Sequence, residues 1–94
     1  METQDRFAII NDFIEYCKTN LEIEELPSID FIEDKSWVLN YRSFGHYVPY
    51  QKSLVIYIGN RNLADILRTL SHELVHHRQN ELGMIKNDSG NTGS

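Results

Sequence analysis

Residues 62–83 read NLADILRTLSHELVHHRQNELG and have the apolar spacing of a single helix throughout. Asn62 is a typical N-cap residue, Asp65 follows it three positions later in an approximate capping box, and Gly83 is a natural terminator. The spacing therefore predicts a helix over about residues 62–82. At about 100° per residue its apolar positions fall on one stripe, which should face the core: Leu63, Ile66, Leu67, Leu70 and Leu74.

Two histidines and a glutamate on this helix form an HExxH motif, His72-Glu73-Leu74-Val75-His76. Residues four apart lie on the same helix face, so His72 and His76 can bind one metal ion. Both project nearly opposite the leucine stripe, which a core histidine would not do. An accidental surface match does not explain why Glu73 lies beside them. Glu73 can take a proton from metal-bound water and return it to a leaving amine, so we expect it to be a general base.

Two further polar residues of this helix are expected to be structural. His77 points toward the side of the apolar stripe, which favours a partly buried or surface histidine over a metal ligand. Glu81 lies two turns beyond Glu73, roughly on the leucine side, and is expected to be an ordinary surface acid.

A second amphipathic helix is predicted over residues 4–20, because apolar residues recur there at helical spacing with acids on the other faces. Cys17 falls on the apolar stripe of this helix. We therefore expect the Cys17 side chain to behave as a small buried hydrophobic group and not as a nucleophile.

The middle of the chain predicts strands. Residues 28–33 form a short predicted strand. Residues 36–44 alternate Trp37, Leu39 and Tyr41 with more polar neighbours, which is typical of a half-buried strand.

Residues 45–52 read as a Gly/Pro loop, and residues 53–58 as a strand that is apolar on both faces. We interpret residues 36–58 as an antiparallel pair. The predicted fold class is α+β, with an N-terminal amphipathic helix, a small antiparallel sheet over about residues 28–58, and the HExxH helix over about residues 62–82.

Length and composition favour one domain without a membrane segment. The 94 residues are 40% apolar, and we expect a domain over residues 1–86 and a flexible Gly/Ser/Asn-rich tail over residues 87–94. A single cysteine excludes an internal disulfide and a cysteine zinc cluster. The longest apolar run, residues 54–58, is too short to span a bilayer, and residues 1–10 lack a signal pattern. We therefore expect a cytoplasmic protein with no membrane partner.

The net charge of −5 is unevenly distributed. Residues 1–35 hold ten acids and three bases, and residues 36–94 hold four acids and six bases. The bases of the second part are scattered singly and form no basic stripe, so we expect no nucleic-acid partner.

Residues 69–79, TLSHELVHHRQ, with an apolar strand shortly before them and NELG after them, resemble the active-site helix of small zincin metallopeptidases. They are similar to short HExxH proteins of phages and bacteria, and more distantly to ImmA/IrrE-type and SprT-like domains. The shared order of strand, loop and helix covers residues 44–83. The resemblance implies a minimal zincin-like fold and a Zn²⁺ cofactor held by His72 and His76. It also implies that Glu73 is the catalytic base, that the substrate is a peptide or protein, and that the location is a bacterial or phage-infected cytoplasm.

The third zinc ligand is not visible in this sequence, although a catalytic zinc site needs three protein ligands and an open water position. In the gluzincin and ImmA/IrrE-type families the third ligand is a glutamate on a later helix, and the metzincin pattern is absent because Leu82 stands at its third-ligand position. The local candidates are Asp88 and His46. A water, a neighbouring chain or truncation of a longer peptidase are the alternatives, and we favour truncation. The oxyanion donor would be Tyr47, Tyr50 or His46.

The main hypothesis is a zinc-dependent metallopeptidase that hydrolyses peptide bonds through a zinc-bound water activated by Glu73. The resemblance places the strand at residues 53–58 beside the cleft, where an extended peptide can add its own strand. One alternative is a catalytically incomplete zincin-fold module that binds metal or captures a protein partner at this edge. Another is a structural α+β protein in which the HExxH motif is accidental.

Overall fold

A computed structural model describes residues 3–84, with side chains from Arg6 onward. The predicted α+β class is confirmed, with a helix first, the strands in the middle and the HExxH helix last. The predicted tail over residues 87–94 and Asp88 lie outside the described residues. Within residues 3–84, none of the helices has the length and apolarity needed to cross a bilayer. The elements in chain order are helix α1 (Thr3–Leu21), strand β1 (Ser28–Ile32), helix α2 (Lys35–Tyr41), strand β2 (Gly45–Val48), strand β3 (Ser53–Tyr57) and helix α3 (Leu63–Glu81).

The three strands form one mixed sheet in the order β1-β3-β2. Val55 of β3 lies opposite His46 of antiparallel β2 and opposite Asp30 of parallel β1. The prediction of an antiparallel sheet is therefore wrong for β1. The chain between β1 and β3 passes through α2 and β2, and this crossover is long enough to bring β3 back in the same direction as β1.

The prediction of a strand over residues 36–44 is also wrong, because most of this segment is helix α2. Asp34 caps the helix, and its Oδ1 accepts a hydrogen bond from the Ser36 N–H at 3.0 Å. Trp37 and Tyr41 lie one helical turn apart and stack with ring centroids separated by 4.7 Å. Leu39, which a half-buried strand would bury, is 76% exposed. The contact between Trp37 and Tyr41 reflects the i, i+4 spacing of a helix and not the i, i+2 spacing of a strand.

Strand β2 occupies the first half of the predicted Gly/Pro loop, and a turn over residues 49–52 joins it to β3. The antiparallel pair predicted over residues 36–58 is therefore confined to β2 and β3. Because β3 is paired on both sides, it offers no free edge, contrary to the expectation for residues 53–58. The edge strand next to the HExxH helix is β2.

Helices α1 and α3 pack together and bury one face of the sheet. The predicted leucine stripe of α3 is confirmed, since three of its residues are fully buried and the other two pack against the core. Cys17 is buried as predicted, at 6% exposure. Each fully buried aliphatic side chain contributes about 1.5–3 kcal/mol to folding. The fully buried aliphatic residues are Ile10, Leu54, Ile56, Ile66, Leu70 and Leu74.

Both ends of α3 have the predicted caps. The Asn62 Oδ1 accepts a hydrogen bond from the Asp65 N–H at 2.9 Å. At the other end Gly83 has φ 75, and the N–H groups of Gly83 and Met84 donate to the C=O groups of Asn80 and Gln79. This pair of bonds is a Schellman motif, which needs a residue that tolerates the left-handed conformation. The caps fix where the HExxH helix begins and ends.

Candidate metal centre

The side chains of His72 and His76 meet on the face of α3 that points away from the core. Their Nε2 atoms are 3.3 Å apart and their rings are nearly perpendicular, at 87°. Two nitrogens bound to one tetrahedral zinc at about 2.0–2.1 Å stand about 3.3–3.4 Å apart. The pair therefore has the separation that two ligands of a single zinc ion require.

Gln79 orients the second histidine of the pair. Its Oε1 lies 3.2 Å from the Nδ1 of His76. An amide oxygen only accepts hydrogen bonds, so Nδ1 carries the proton and the lone pair of Nε2 faces His72. An imidazole that binds a metal through Nε2 needs this tautomer. The role of Gln79 was not predicted, although its position three residues after a histidine of an HExxH helix is a usable signal.

Glu73 lies against the backbone of β2 and is only 7% exposed. A Cβ atom added to Gly45 would stand 3.2 Å from the Glu73 Oε2 and 2.6 Å from the Thr69 Cγ2. Gly45 is thus required for space, because any side chain there would push α3 away from the sheet. This contact was not predicted, since it joins residues on elements that only the fold brings together.

Burial raises the pKa of the Glu73 carboxyl, while the charges of His76, His72 and His46 act in the opposite direction. The net effect is a carboxyl with a pKa above its ordinary value. A carboxylate whose pKa is raised in this way is a stronger base than an ordinary glutamate. The environment of Glu73 therefore suits the role that the sequence predicts for it.

His46 lies on β2 between two residues that face α3. Gly45 and Tyr47 are buried against the helix, and alternation places the exposed His46 on the opposite face of the sheet. Its ring stands 5.5 Å from that of Tyr41, which continues into the stack with Trp37. In the part of the chain that the structure describes, no three ligand-type side chains converge on one point. His46 therefore does not join His72 and His76 in this arrangement, and its role as third ligand stays a prediction, as does that of Asp88.

The two tyrosines predicted as oxyanion donors have different environments. The Tyr47 hydroxyl is buried, donates to the Nδ1 of His77 at 2.7 Å and accepts from the Asn80 Nδ2 at 3.0 Å. The pKa of Tyr47 is raised, mainly because its hydroxyl is buried. Tyr50 lies in the turn after β2 and is 74% exposed. Tyr47 already uses its proton inside the protein, so only Tyr50 has a hydroxyl free of such a bond among the described contacts.

His77 is more completely buried than the sequence predicts, at 1% exposure, and is not a ligand of the pair. Its Nε2 donates to the C=O of Glu25 at 2.7 Å, so its Nδ1 is the acceptor for Tyr47. The His77 ring joins α3 to the loop after α1 and to β2. This role could not be read from the motif, because Glu25 lies 52 residues away in the chain.

Glu81 is not the ordinary surface acid that the sequence predicts. Its carboxylate accepts hydrogen bonds from the backbone N–H groups of Glu24 at 3.0 Å and Glu25 at 2.9 Å, and it pairs with Arg78 at 3.2 Å. Burial alone would raise the Glu81 pKa, but the two backbone donors, Arg78 and His77 together hold that pKa below its usual range. Glu81 therefore fixes the loop between α1 and β1 onto the end of α3.

No family model, curated protein or solved structure matches this chain.

Proposed function

We propose that this chain is a zinc-dependent metallopeptidase domain in which His72 and His76 bind the metal and Glu73 is the general base. The observation that carries the proposal is the 3.3 Å separation of the two Nε2 atoms on a helix whose intervening glutamate is buried beside them. The motif alone gives the spacing in the sequence. The proposal is further supported by the near-perpendicular approach of the two rings and by the 3.2 Å contact between the Gln79 Oε1 and the His76 Nδ1.

Zinc, when bound, supplies a Lewis acid that polarises a peptide carbonyl and activates water. The chain supplies the remaining functions. His72 and His76 bind as neutral imidazoles, and Gln79 keeps the proton of His76 on Nδ1. The Glu73 carboxylate takes the proton of the attacking water and later delivers it to the leaving amine. The raised pKa of this carboxyl makes its ionised form a stronger base for the first step.

The substrate in this proposal is an extended peptide that lies along β2. Edge strands bind extended chains through main-chain hydrogen bonds, and β2 is the edge strand in contact with α3. Gly45 of this strand touches Glu73, so a peptide on this edge would pass next to the proposed base. This assignment moves the peptide from residues 53–58, which the sequence suggested, to residues 45–48.

Metal analysis and proteolysis of the purified 94-residue chain test the proposal. We expect one zinc per chain, lost in His72→Ala and His76→Ala and retained in Val75→Ala, a matched change on the same helix. The zinc-loaded chain should cleave fluorescein-labelled casein, and Glu73→Gln should retain zinc but lose cleavage. Retained cleavage in Glu73→Gln would show that Glu73 is not the base, and the absence of zinc from the parent chain would refute the metal site.

A second candidate function is a metal-binding or protein-interaction module without catalysis. The observation that favours it is that His72 and His76 form only a two-ligand set within residues 3–84. Two ligands bind zinc more weakly than three, so this alternative predicts weak zinc binding and no casein cleavage under conditions where peptides still bind. The same titration and cleavage assay therefore separate the two functions.

A further inference from the structure

The free edge of β2 has outward backbone groups at two residues. The Tyr57 N–H donates to the Phe44 C=O at 2.9 Å, and this bond fixes the pattern of the antiparallel ladder. The backbone groups of His46 therefore face β3, whereas those of Gly45 and Tyr47 face away from it. An edge with outward N–H and C=O groups is a template for another extended chain.

The hydroxyl of Ser43 occupies both outward groups of Gly45. The Ser43 Oγ accepts from the Gly45 N–H at 3.2 Å and donates to the Gly45 C=O at 2.6 Å. These are the two bonds that one residue of a neighbouring antiparallel strand would make. Arg42, with φ 54, ends α2 in the left-handed conformation and turns the chain so that Ser43 lies beside the edge. The side chain of Ser43 thus takes the place of a partner strand at one position.

The position that Ser43 occupies is the one that matters for the proposed chemistry. Gly45 is the β2 residue in contact with Glu73, whereas Tyr47 lies one turn further along α3, beside His77. A peptide that pairs only at Tyr47 need not displace Ser43, but it does not pair at the residue nearest the base. A peptide that pairs at Gly45 lies next to Glu73 and must replace both bonds of Ser43.

We propose that Ser43 controls the productive register of an extended peptide on β2, because its hydroxyl competes with the peptide backbone for the N–H and C=O of Gly45. This inference rests on the proposed function and concerns the regulation of the same site. Removal of the hydroxyl should strengthen peptide binding, since a hydrogen bond within the protein is no longer lost when the peptide binds.

The test uses binding, so that it does not depend on catalysis. Zinc-loaded Glu73→Gln chain is the bait for a displayed library of random octapeptides, and enriched peptides are titrated into the ¹⁵N-labelled bait. We expect the amide signals of Gly45 and Tyr47 to shift. In the same background, Ser43→Ala should lower the Kd about three- to tenfold, the range of one net hydrogen bond. Ser43→Thr, which keeps the hydroxyl, should bind as the parent does. Ser53→Ala is the matched control, because its hydroxyl makes only a 3.4 Å contact with Gln51.

Four results would overturn the inference: no enriched peptide, amide shifts confined to other surfaces, no tighter binding by Ser43→Ala, or sedimentation showing that Ser43→Ala pairs with a second copy of itself through β2.

Amide exchange at Gly45 gives a readout without any peptide, since loss of the Ser43 acceptor should speed exchange there and leave β3 unchanged. Peptide binding that depends on Ser43 in a chain that cleaves no casein would refute the proposed enzyme and support this inference. Failure of the proposed function and failure of the Ser43 inference are therefore distinguishable.

Discussion

The Tyr47 hydroxyl donates to the Nδ1 of His77 at 2.7 Å and so joins the edge strand β2 to α3, one residue beyond the proposed ligand His76. Asn80 extends the contact, because its Nδ2 donates both to the Tyr47 hydroxyl and to the C=O of Pro49. The strand and the HExxH helix are thus tied by hydrogen bonds as well as by apolar packing. This tie holds Gly45 close to Glu73.

Tyr47→Phe should destabilise the protein by about 1–3 kcal/mol, because it leaves the buried Nδ1 of His77 without its partner and removes one of the two acceptors of the Asn80 Nδ2. Urea unfolding followed by circular dichroism measures the change. Tyr50→Phe is the matched control, and at 74% exposure it should change the free energy of unfolding by less than about 0.5 kcal/mol. Equal stability of the two variants would show that the buried network contributes nothing.

Gly45→Ala should destabilise the protein by about 1–3 kcal/mol, because the new methyl group would stand 2.6 Å from the Thr69 Cγ2. Thr69 cannot easily rotate away, since its Oγ1 accepts from Arg61 at 2.8 Å and donates to the C=O of Asp65 at 3.1 Å. Thr69→Ser removes the Cγ2 and keeps the hydroxyl. Gly45→Ala should therefore lower the free energy of unfolding less in the Thr69→Ser background than in the parent. Equal losses in the two backgrounds would argue against this clash.

Gln79→Ala should weaken zinc binding about tenfold, because the partner that orients His76 is lost. Gln79→Glu should bind zinc at least as tightly as the parent, since a carboxylate accepts the same hydrogen bond. Competition with a chromogenic chelator measures both affinities, and Gln51→Ala on the exposed turn is the control. Unchanged zinc affinity in Gln79→Ala would contradict the assigned tautomer.

Glu81 should make folding stability dependent on pH in the acid range. Its folded pKa is lowered from an ordinary value of 4.5, so its stabilising contribution is fully present above that value. The contribution should be lost as the pH falls through the folded pKa, where Glu81 becomes protonated. The difference in unfolding free energy between the parent and Glu81→Gln should therefore shrink as the pH is lowered from 7 toward 3. A difference that is constant with pH would mean that the carboxylate charge has no part in holding Glu24 and Glu25.

The sequence predicts those features of the fold that depend on local spacing. The α3 stripe, the Asn62 cap, the Gly83 terminator and the burial of Cys17 all follow from residues within a few turns of each other. Helix α2 could not be predicted in this way, because it has no buried residue and so no apolar stripe that distinguishes it from a strand.

Features that depend on distant partners could not be predicted. The parallel pairing of β1 with β3 is decided by a crossover and not by the composition of either strand. The roles of His77 and Glu81 depend on Glu24 and Glu25, more than 50 residues away. For the candidate site, the motif gives His72, Glu73 and His76, while the contact of Glu73 with Gly45 appears only when β2 packs on α3.

The sheet order has a consequence for folding during translation. Within residues 3–84, β1 pairs only with β3, and α1 packs on α3, so both elements wait for partners that are made later. Until β3 and α3 have been made, α1 and β1 cover each other only in part, through contacts such as that of Phe7 with Phe31. Native packing of α1 and β1 is therefore completed only after the β2-β3 hairpin and α3 have been made.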